Sequence, residues 1–149
     1  MIRRLLAGLL VAMLASAPLA GCGRQSEAQR VWVDEQVSFV ADGLTLHGTY
    51  RHLTGDAAGP AALLISESGA TDRNGDNNVA GAIGNMRQLA EFLSDQGVAT
   101  LRYDKVGTGA TGLGPFADRR ADVGSAVYTA GAKAAVRFLA AQSATDGGR

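Results

Sequence analysis

Two short apolar segments, each followed by a polar loop rich in glycine, constrain the fold more than any other feature of the sequence. Ala61–Ile65 is a continuous apolar run, typical of a strand buried on both faces of a parallel sheet. Val98–Tyr103 predicts a second central strand. Thirteen of the chain's 20 glycines fall between Gly43 and Gly114, which indicates tight turns and close backbone approach around these strands.

Two helices are predicted where parallel strands need crossovers. The apolar stripe of the first consists of Met86, Leu89, Ala90 and Leu93. Gly97 follows at the position that commonly ends a helix. Asp122 is predicted to cap a second, alanine-rich helix that extends to about Gln142.

The segment before the first apolar run predicts a hairpin. Val31–Val33 and Val37–Val40 are expected to be short strands. The segment Leu44–Tyr50 alternates apolar and polar residues, so it is expected to be the strand that pairs with them. Asp42-Gly43 is a typical two-residue hairpin turn. The order hairpin, strand, helix, strand, helix predicts an α/β sheet with right-handed crossovers.

The beginning of the chain has the pattern of an export signal. Met1–Arg4 is basic, and the apolar run Leu5–Ala20 is shorter than the ~20 residues that a spanning helix needs. Leu19–Cys22 resembles the lipobox of bacterial lipoproteins, which implies cleavage before Cys22 and acylation of its thiol. The alternative is a plain signal peptide with a cysteine nearby by chance.

This division predicts a lipoprotein signal peptide over residues 1–21, a polar tether over 22–30 and a folded domain over 31–149. The protein is then expected to be exported and anchored to a membrane of the cell envelope through its lipid. Residues 22–149 carry 12 basic and 14 acidic side chains, so no nucleic-acid partner is expected. One cysteine and two histidines exclude an intrachain disulfide and a cysteine-based metal cluster, and no cofactor is expected.

Two loop segments resemble the α/β-hydrolase family, specifically its bacterial esterase-like members. Ile65–Gly75 is similar to the turn after the family's third strand, and Leu101–Thr111 is similar to its R-Y-D-x-x-G-x-G-x-S motif after the fourth. The resemblance covers about residues 37–149. It implies the N-terminal part of a serine hydrolase fold and a small-molecule acyl substrate for the whole enzyme.

The family's nucleophile elbow, G-x-S-x-G, does not occur in these 149 residues. Ser68 comes closest, but its flanking residues do not match and its turn is too early in the fold. No catalytic residue is therefore assigned. The resemblance implies that the serine, acid and histidine follow Arg149 in that order. The strand that carries the serine is expected between or beside the two central strands. Without that strand we expect poor solubility or partial folding.

The turn after the first central strand is where the family supplies a backbone N–H of its oxyanion hole. Matching the turn makes the N–H groups of Ser68, Gly69 and Ala70 the candidates. Glu67 stands where the family has glycine, and a carboxylate facing inward there would repel an oxyanion. The alternative is an ordinary strand-to-loop turn.

Other polar motifs favour structural roles. The calcium-loop spacing of Asp72, Asn74 and Asp76 lacks the glycine and the final glutamate of that motif, so no metal site is predicted. Gly107–Gly112 matches G-x-G-x-x-G, but no helix is expected to open there as dinucleotide binding requires. Asp104 is expected to hold this loop by accepting backbone N–H groups.

Neither histidine lies where the family has its catalytic one. His47 falls in the predicted hairpin strand and His52 in the loop after it, so both are expected to be structural. Two functions remain open. One is an inactive N-terminal fragment of an envelope-anchored serine hydrolase that acts on carboxylic esters or related acyl compounds. The other is a short non-catalytic lipoprotein that acts as a binding or interaction module.

Overall fold

The computed structural model of the chain describes residues 30–55 and 58–145. Its elements are β1 (Trp32–Ala41), β2 (Leu44–Leu53), β3 (Ala61–Leu64), α1 (Asn85–Asp95), β4 (Ala99–Tyr103) and α2 (Ser125–Ala140), with 3₁₀ turns at Gly114–Phe116 and Arg120–Asp122. The strands form one mixed sheet in the order β1-β2-β4-β3. The predicted signal peptide, Cys22 and the tether up to residue 29 lie outside the described residues.

The first two strands form the predicted hairpin. Asp42 and Gly43 have φ of 48° and 80°, so both turn residues have the positive φ of a type I′ turn. The prediction of two short strands before this turn was wrong, because β1 is continuous and pairs with β2 from Trp32↔Leu53 to Ala41↔Leu44. At this border of the sheet β1 keeps most of its side chains partly in water, so its polar middle does not interrupt the ladder.

The two apolar segments are adjacent parallel strands, as predicted. β3 pairs with β4 from Ala61↔Ala99 to Leu64↔Arg102, and every residue of β4 is buried. β2 pairs with the other edge of β4 in the antiparallel sense. Because β3 and β4 are hydrogen-bonded to each other, a further strand cannot lie between them, and only the expected position beside β3 remains.

The two faces of β4 differ in chemistry. Leu101 and Tyr103 belong to the apolar core, together with Ala134, Ala135 and Leu139 of α2. Phe39 of β1 stacks on Phe138 of the same helix at 5.3 Å between ring centroids. The opposite face carries the polar residues of β4 and packs against α1.

Helix α1 matches its prediction more closely than α2 does. Gln96 is the C-cap of α1 and Gly97 follows with φ of 77°, whereas Leu89 of the expected stripe is 40% exposed. Asp122 does not cap α2, since it lies in a 3₁₀ turn where its carboxylate is 3.5 Å from the Arg119 guanidinium. Among the described residues, no helix is long and apolar enough to cross a membrane.

The packing predicts a large loss of stability for Leu101→Ala, because Leu101 is fully buried at the centre of the sheet. We expect the free energy of unfolding to fall by about 2–5 kcal/mol. Leu89→Ala is the matched control on the exposed side of α1 and should cost less than about 1 kcal/mol. Urea unfolding followed by circular dichroism measures both, and equal losses would contradict the assigned core.

Candidate active-site loops

The loops that follow β3 and β4 meet at one edge of the sheet, because parallel strands end on the same side. We call residues 65–84 the β3 loop and residues 104–113 the β4 loop. A cavity of about 520 Å³ lies between them. It is lined by Ala70, Asp72, Asp76, Asn77, Asn78, Gly81, Ala82, Gly107, Thr108 and Gly109.

Asp104 joins the two loops from the end of β4. Its side chain is 1% exposed, and its two carboxylate oxygens accept the backbone N–H groups of Arg73 and Ala110, both at 2.8 Å. The Arg73 guanidinium adds an ion pair at 3.7 Å. The prediction that Asp104 holds its loop through backbone N–H groups is confirmed, and the carboxylate also holds the β3 loop.

Lys105, the next residue, binds the beginning of the β3 loop. Its ammonium nitrogen is 2.6 Å from the Ser66 hydroxyl, 2.7 Å from the Glu67 carbonyl oxygen, and 3.2 Å from the carbonyl oxygens of Ser66 and Thr71. The residue is only 7% exposed. Burial lowers the pKa of Lys105, and the carboxylates of Glu67, Asp104 and Asp72 oppose that shift.

The close pair of Ser66 and Lys105 does not form a nucleophile and its base. The Ser66 hydroxyl donates to the Thr71 carbonyl at 3.1 Å and accepts from the ammonium. To act as the base, the Lys105 amine would have to be neutral. Its nitrogen instead faces three carbonyl oxygens, which accept hydrogen bonds from the N–H groups of the charged form. The pair therefore shapes the loop.

The three oxyanion candidates lie on the outer part of the β3 loop. Ser68, Gly69 and Ala70 are exposed, and Gly69 has φ of 88°. Within residues 30–55 and 58–145, their backbone N–H groups donate to no protein acceptor. The loop thus carries free donors at the edge of the cavity, where Ala70 is part of the lining.

The acidic residues that resemble a calcium loop are occupied by the backbone. One carboxylate oxygen of Asp72 accepts the N–H groups of Asn74 and Asp76 at 2.8 and 3.0 Å. Asp76 in turn accepts the N–H of Gly84 at 2.7 Å. In the described part of the chain, no three His, Cys, Asp or Glu side chains are grouped to hold a metal ion.

The glycine motif of the β4 loop closes on itself. The N–H of Gly107 donates to the carbonyl oxygen of Gly112, and only the 3₁₀ turn at Gly114–Phe116, not an α-helix, follows the motif. A phosphate cradle needs such N–H groups free at the start of a helix. The arrangement therefore favours a structural loop, as the sequence predicted.

The histidines lie in β2 on the hairpin. His52 belongs to that strand and not to the loop after it, which corrects its predicted place. Its ring stacks on Tyr50 at 4.6 Å and lies 3.4 Å from the Glu35 carboxylate. His47 accepts the N–H of Asp104 through its backbone carbonyl at 2.8 Å. Both contacts are structural, as expected.

Sequence reasoning missed the polar network on the α1 side of the sheet. Arg51 and Arg102 each bind a different oxygen of the Asp34 carboxylate, at 3.3 and 3.1 Å. Arg102 also donates to the Asn74 side chain at 3.3 Å, which ties the β3 loop to the sheet. The available signal was an arginine inside a predicted buried strand, because a buried charge requires a partner.

Lys105 was missed for a different reason. It occupies a variable position of the motif that resembles the hydrolase family, and a lysine in a glycine-rich loop is expected to lie in water. Only its position two residues after the end of a central strand could have indicated burial. The contacts that bury it come from residues more than thirty positions earlier in the chain.

Two glycines of the β4 loop offer a matched test of the Asp104 junction. A Cβ at Gly109 would lie 2.3 Å from the Asp104 carboxylate, whereas a Cβ at Gly112 would meet nothing within 4 Å. Both residues have positive φ. Gly112→Ala should cost about 1–2 kcal/mol for its backbone alone.

Gly109→Ala should cost a further 1–3 kcal/mol, roughly the penalty of a buried acceptor that loses its donors. Thermal unfolding of the two variants measures the difference. Equal melting temperatures would contradict the role of Asp104 as the junction of the loops.

The fold is shared with solved hydrolase structures, although no protein-family model and no curated protein matches the chain. A dienelactone hydrolase-like promiscuous phosphotriesterase from metagenomic libraries matches with a TM-score of 0.53 at 19% identity, over 78% of this chain and 46% of that one. A cold-adapted esterase from an Arctic intertidal metagenomic library matches with a TM-score of 0.54 at 20% identity, over 76% and 51%. The chain spans about half the length of these proteins. The described residues have a partial α/β-hydrolase fold.

Proposed function

We propose that the chain is the N-terminal part of an envelope-anchored serine hydrolase that acts on carboxylic esters or related acyl compounds. The observation that carries the proposal is the β3 loop, which leaves the N–H groups of Ser68, Gly69 and Ala70 without acceptors among the described residues. Free backbone donors at the carboxyl edge of a sheet are what an oxyanion hole requires.

The chemistry assigns these residues a supporting role. A serine supplied by later residues attacks the substrate carbonyl carbon while a histidine takes its proton, and the carbonyl oxygen becomes an oxyanion. The β3 loop donates an N–H to that oxygen. Collapse of this tetrahedral intermediate expels the alcohol, which takes the proton from the histidine, and leaves the acyl group on the serine oxygen. Water then attacks that acyl group by the same steps, which releases the carboxylic acid and restores the serine.

The backbone near Thr145 supports delivery of such a serine to this edge. After α2 the chain forms a parallel bridge between Thr145 and Gly59, just before β3, and the Gly59 N–H donates to the Ala144 carbonyl at 3.2 Å. A strand continuing in this direction would pair with the open side of β3. Because it would be parallel to β3, its carboxyl end would lie beside the β3 loop.

The DNA that follows codon 149 provides the first test. We expect an apolar strand that leads directly into G-x-S-x-G, in this frame or after one frameshift, with an acid and then a histidine further on. The encoded longer protein should hydrolyse p-nitrophenyl acetate and react with a fluorophosphonate probe.

Replacement of the elbow serine by alanine should abolish both signals. The 149-residue chain serves as the control that lacks the nucleophile. A stop codon with no elbow in any frame would contradict the proposal and favour the non-catalytic lipoprotein.

Membrane anchoring is tested at Cys22. Wild-type protein should be found in the membrane fraction with an acylated N-terminal cysteine, as identified by mass spectrometry, because acyl chains bury CH₂ groups in the bilayer. Cys22→Ala should release the protein, whereas Ser26→Ala in the predicted tether should leave it in the membrane. Soluble wild-type protein with another N-terminus would contradict the anchor.

A further inference from the structure

The contacts of Lys105 with the β3 loop are directional. Its ammonium lies against the carbonyl oxygens of two successive residues, Ser66 and Glu67, and against that of Thr71. The shortest of these contacts is the 2.7 Å one to Glu67. A buried ammonium with several carbonyl acceptors fixes the peptide groups that carry them, because these dipoles replace the hydration that burial removes from its charge.

The orientation of each bound carbonyl determines where the next N–H points. In a planar trans peptide the C=O of one residue and the N–H of the following residue point in opposite directions. The Glu67 carbonyl faces the buried ammonium, so the N–H of Ser68 faces away from it. The N–H of Glu67 is turned the same way by the Ser66 carbonyl, and neighbouring N–H groups that share a direction favour an anion.

We propose that Lys105 is a positioning residue that fixes the Glu67–Ser68 peptide, so that the N–H of Ser68 is the oxyanion donor of the β3 loop. This rests on the proposed function and selects one residue from its three candidates. The peptides that precede Gly69 and Ala70 have no such contact: within the described residues, the carbonyls of Ser68 and Gly69 accept no hydrogen bond.

The ammonium also strengthens the selected donor. A positive charge at the Glu67 carbonyl polarises the peptide and makes the Ser68 N–H a better donor, as hydrogen bonds in series do. The same charge interacts favourably with the Glu67 carboxylate, which was a difficulty for an oxyanion site at this position.

The test uses the two lysines of the chain, Lys105 and Lys133, in the longer protein encoded by the gene. Lys133 is exposed on α2, so Lys133→Met is the matched control. With p-nitrophenyl acetate, Lys105→Met should lower kcat about 10–100-fold with KM within about twofold, as expected for an interaction made mainly in the transition state. Lys105→Arg should recover part of the loss, because it keeps the charge and the donors.

A backbone substitution decides the matter if Lys105→Met does not fold. Replacing Ser68 by the corresponding α-hydroxy acid removes its N–H and should lower kcat by about 10²–10³-fold, as loss of one oxyanion donor does. The same change at Ala70 should leave kcat within about twofold, because the Ala70 N–H does not donate to the oxyanion. Full activity of a folded Lys105→Met variant, or a loss at Ala70 in place of Ser68, would overturn the proposal.

Failure of the proposed function is distinguishable from failure of this inference. Inactive wild-type protein would contradict the hydrolase, whereas the orientation of the Ser68 N–H can be measured without catalysis. In the longer protein without substrate, the residual dipolar coupling of this N–H should fit the alignment of the sheet, and it should depart from that fit in Lys105→Met but not in Lys133→Met. A coupling averaged to near zero in the wild type would overturn the positioning role.

Discussion

The adjacent charges of Asp104 and Lys105 hold the loops of this protein to its sheet. The carboxylate accepts backbone N–H groups from both loops, and the ammonium binds carbonyl oxygens at the start of the β3 loop. Each charge is nearly excluded from water, and burying a charge costs several kcal/mol unless hydrogen bonds replace its hydration. The backbone of the two loops provides that replacement, and the charges give these irregular segments a defined conformation.

The sheet supports this junction through its two chemically different faces. On the α2 side, apolar side chains around Leu101 exclude water and place β4 at the centre of the sheet. On the α1 side, Arg102 joins the Asp34 carboxylate to the Asn74 side chain and so reaches the β3 loop. The strand that supplies Asp104 is therefore held by packing on one face and by ion pairs on the other.

The parts of the fold that were predicted correctly depend on neighbours in sequence. The Asp42-Gly43 turn and the end of α1 at Gly97 are conformations that a few adjacent residues determine. The helix start assigned to Asp122 was wrong because α2 begins at Ser125 with Gly124 as its N-cap, and Asp122 lies in the 3₁₀ turn before it. The division of β1 into two strands was wrong because pairing with β2 outweighs the polar character of its middle residues.

By itself the sequence determined the hairpin, the two parallel strands with the helix between them, and the positions of the glycine-rich loops. These follow from turn chemistry and from apolar periodicity, which act over a few residues. Only the tertiary structure decided the strand order β1-β2-β4-β3 and the partners of Lys105. The strand order and these partners depend on contacts between residues tens of positions apart. Such contacts form only when the sheet brings the two loops to one edge, where the charges of Asp104 and Lys105 are removed from water.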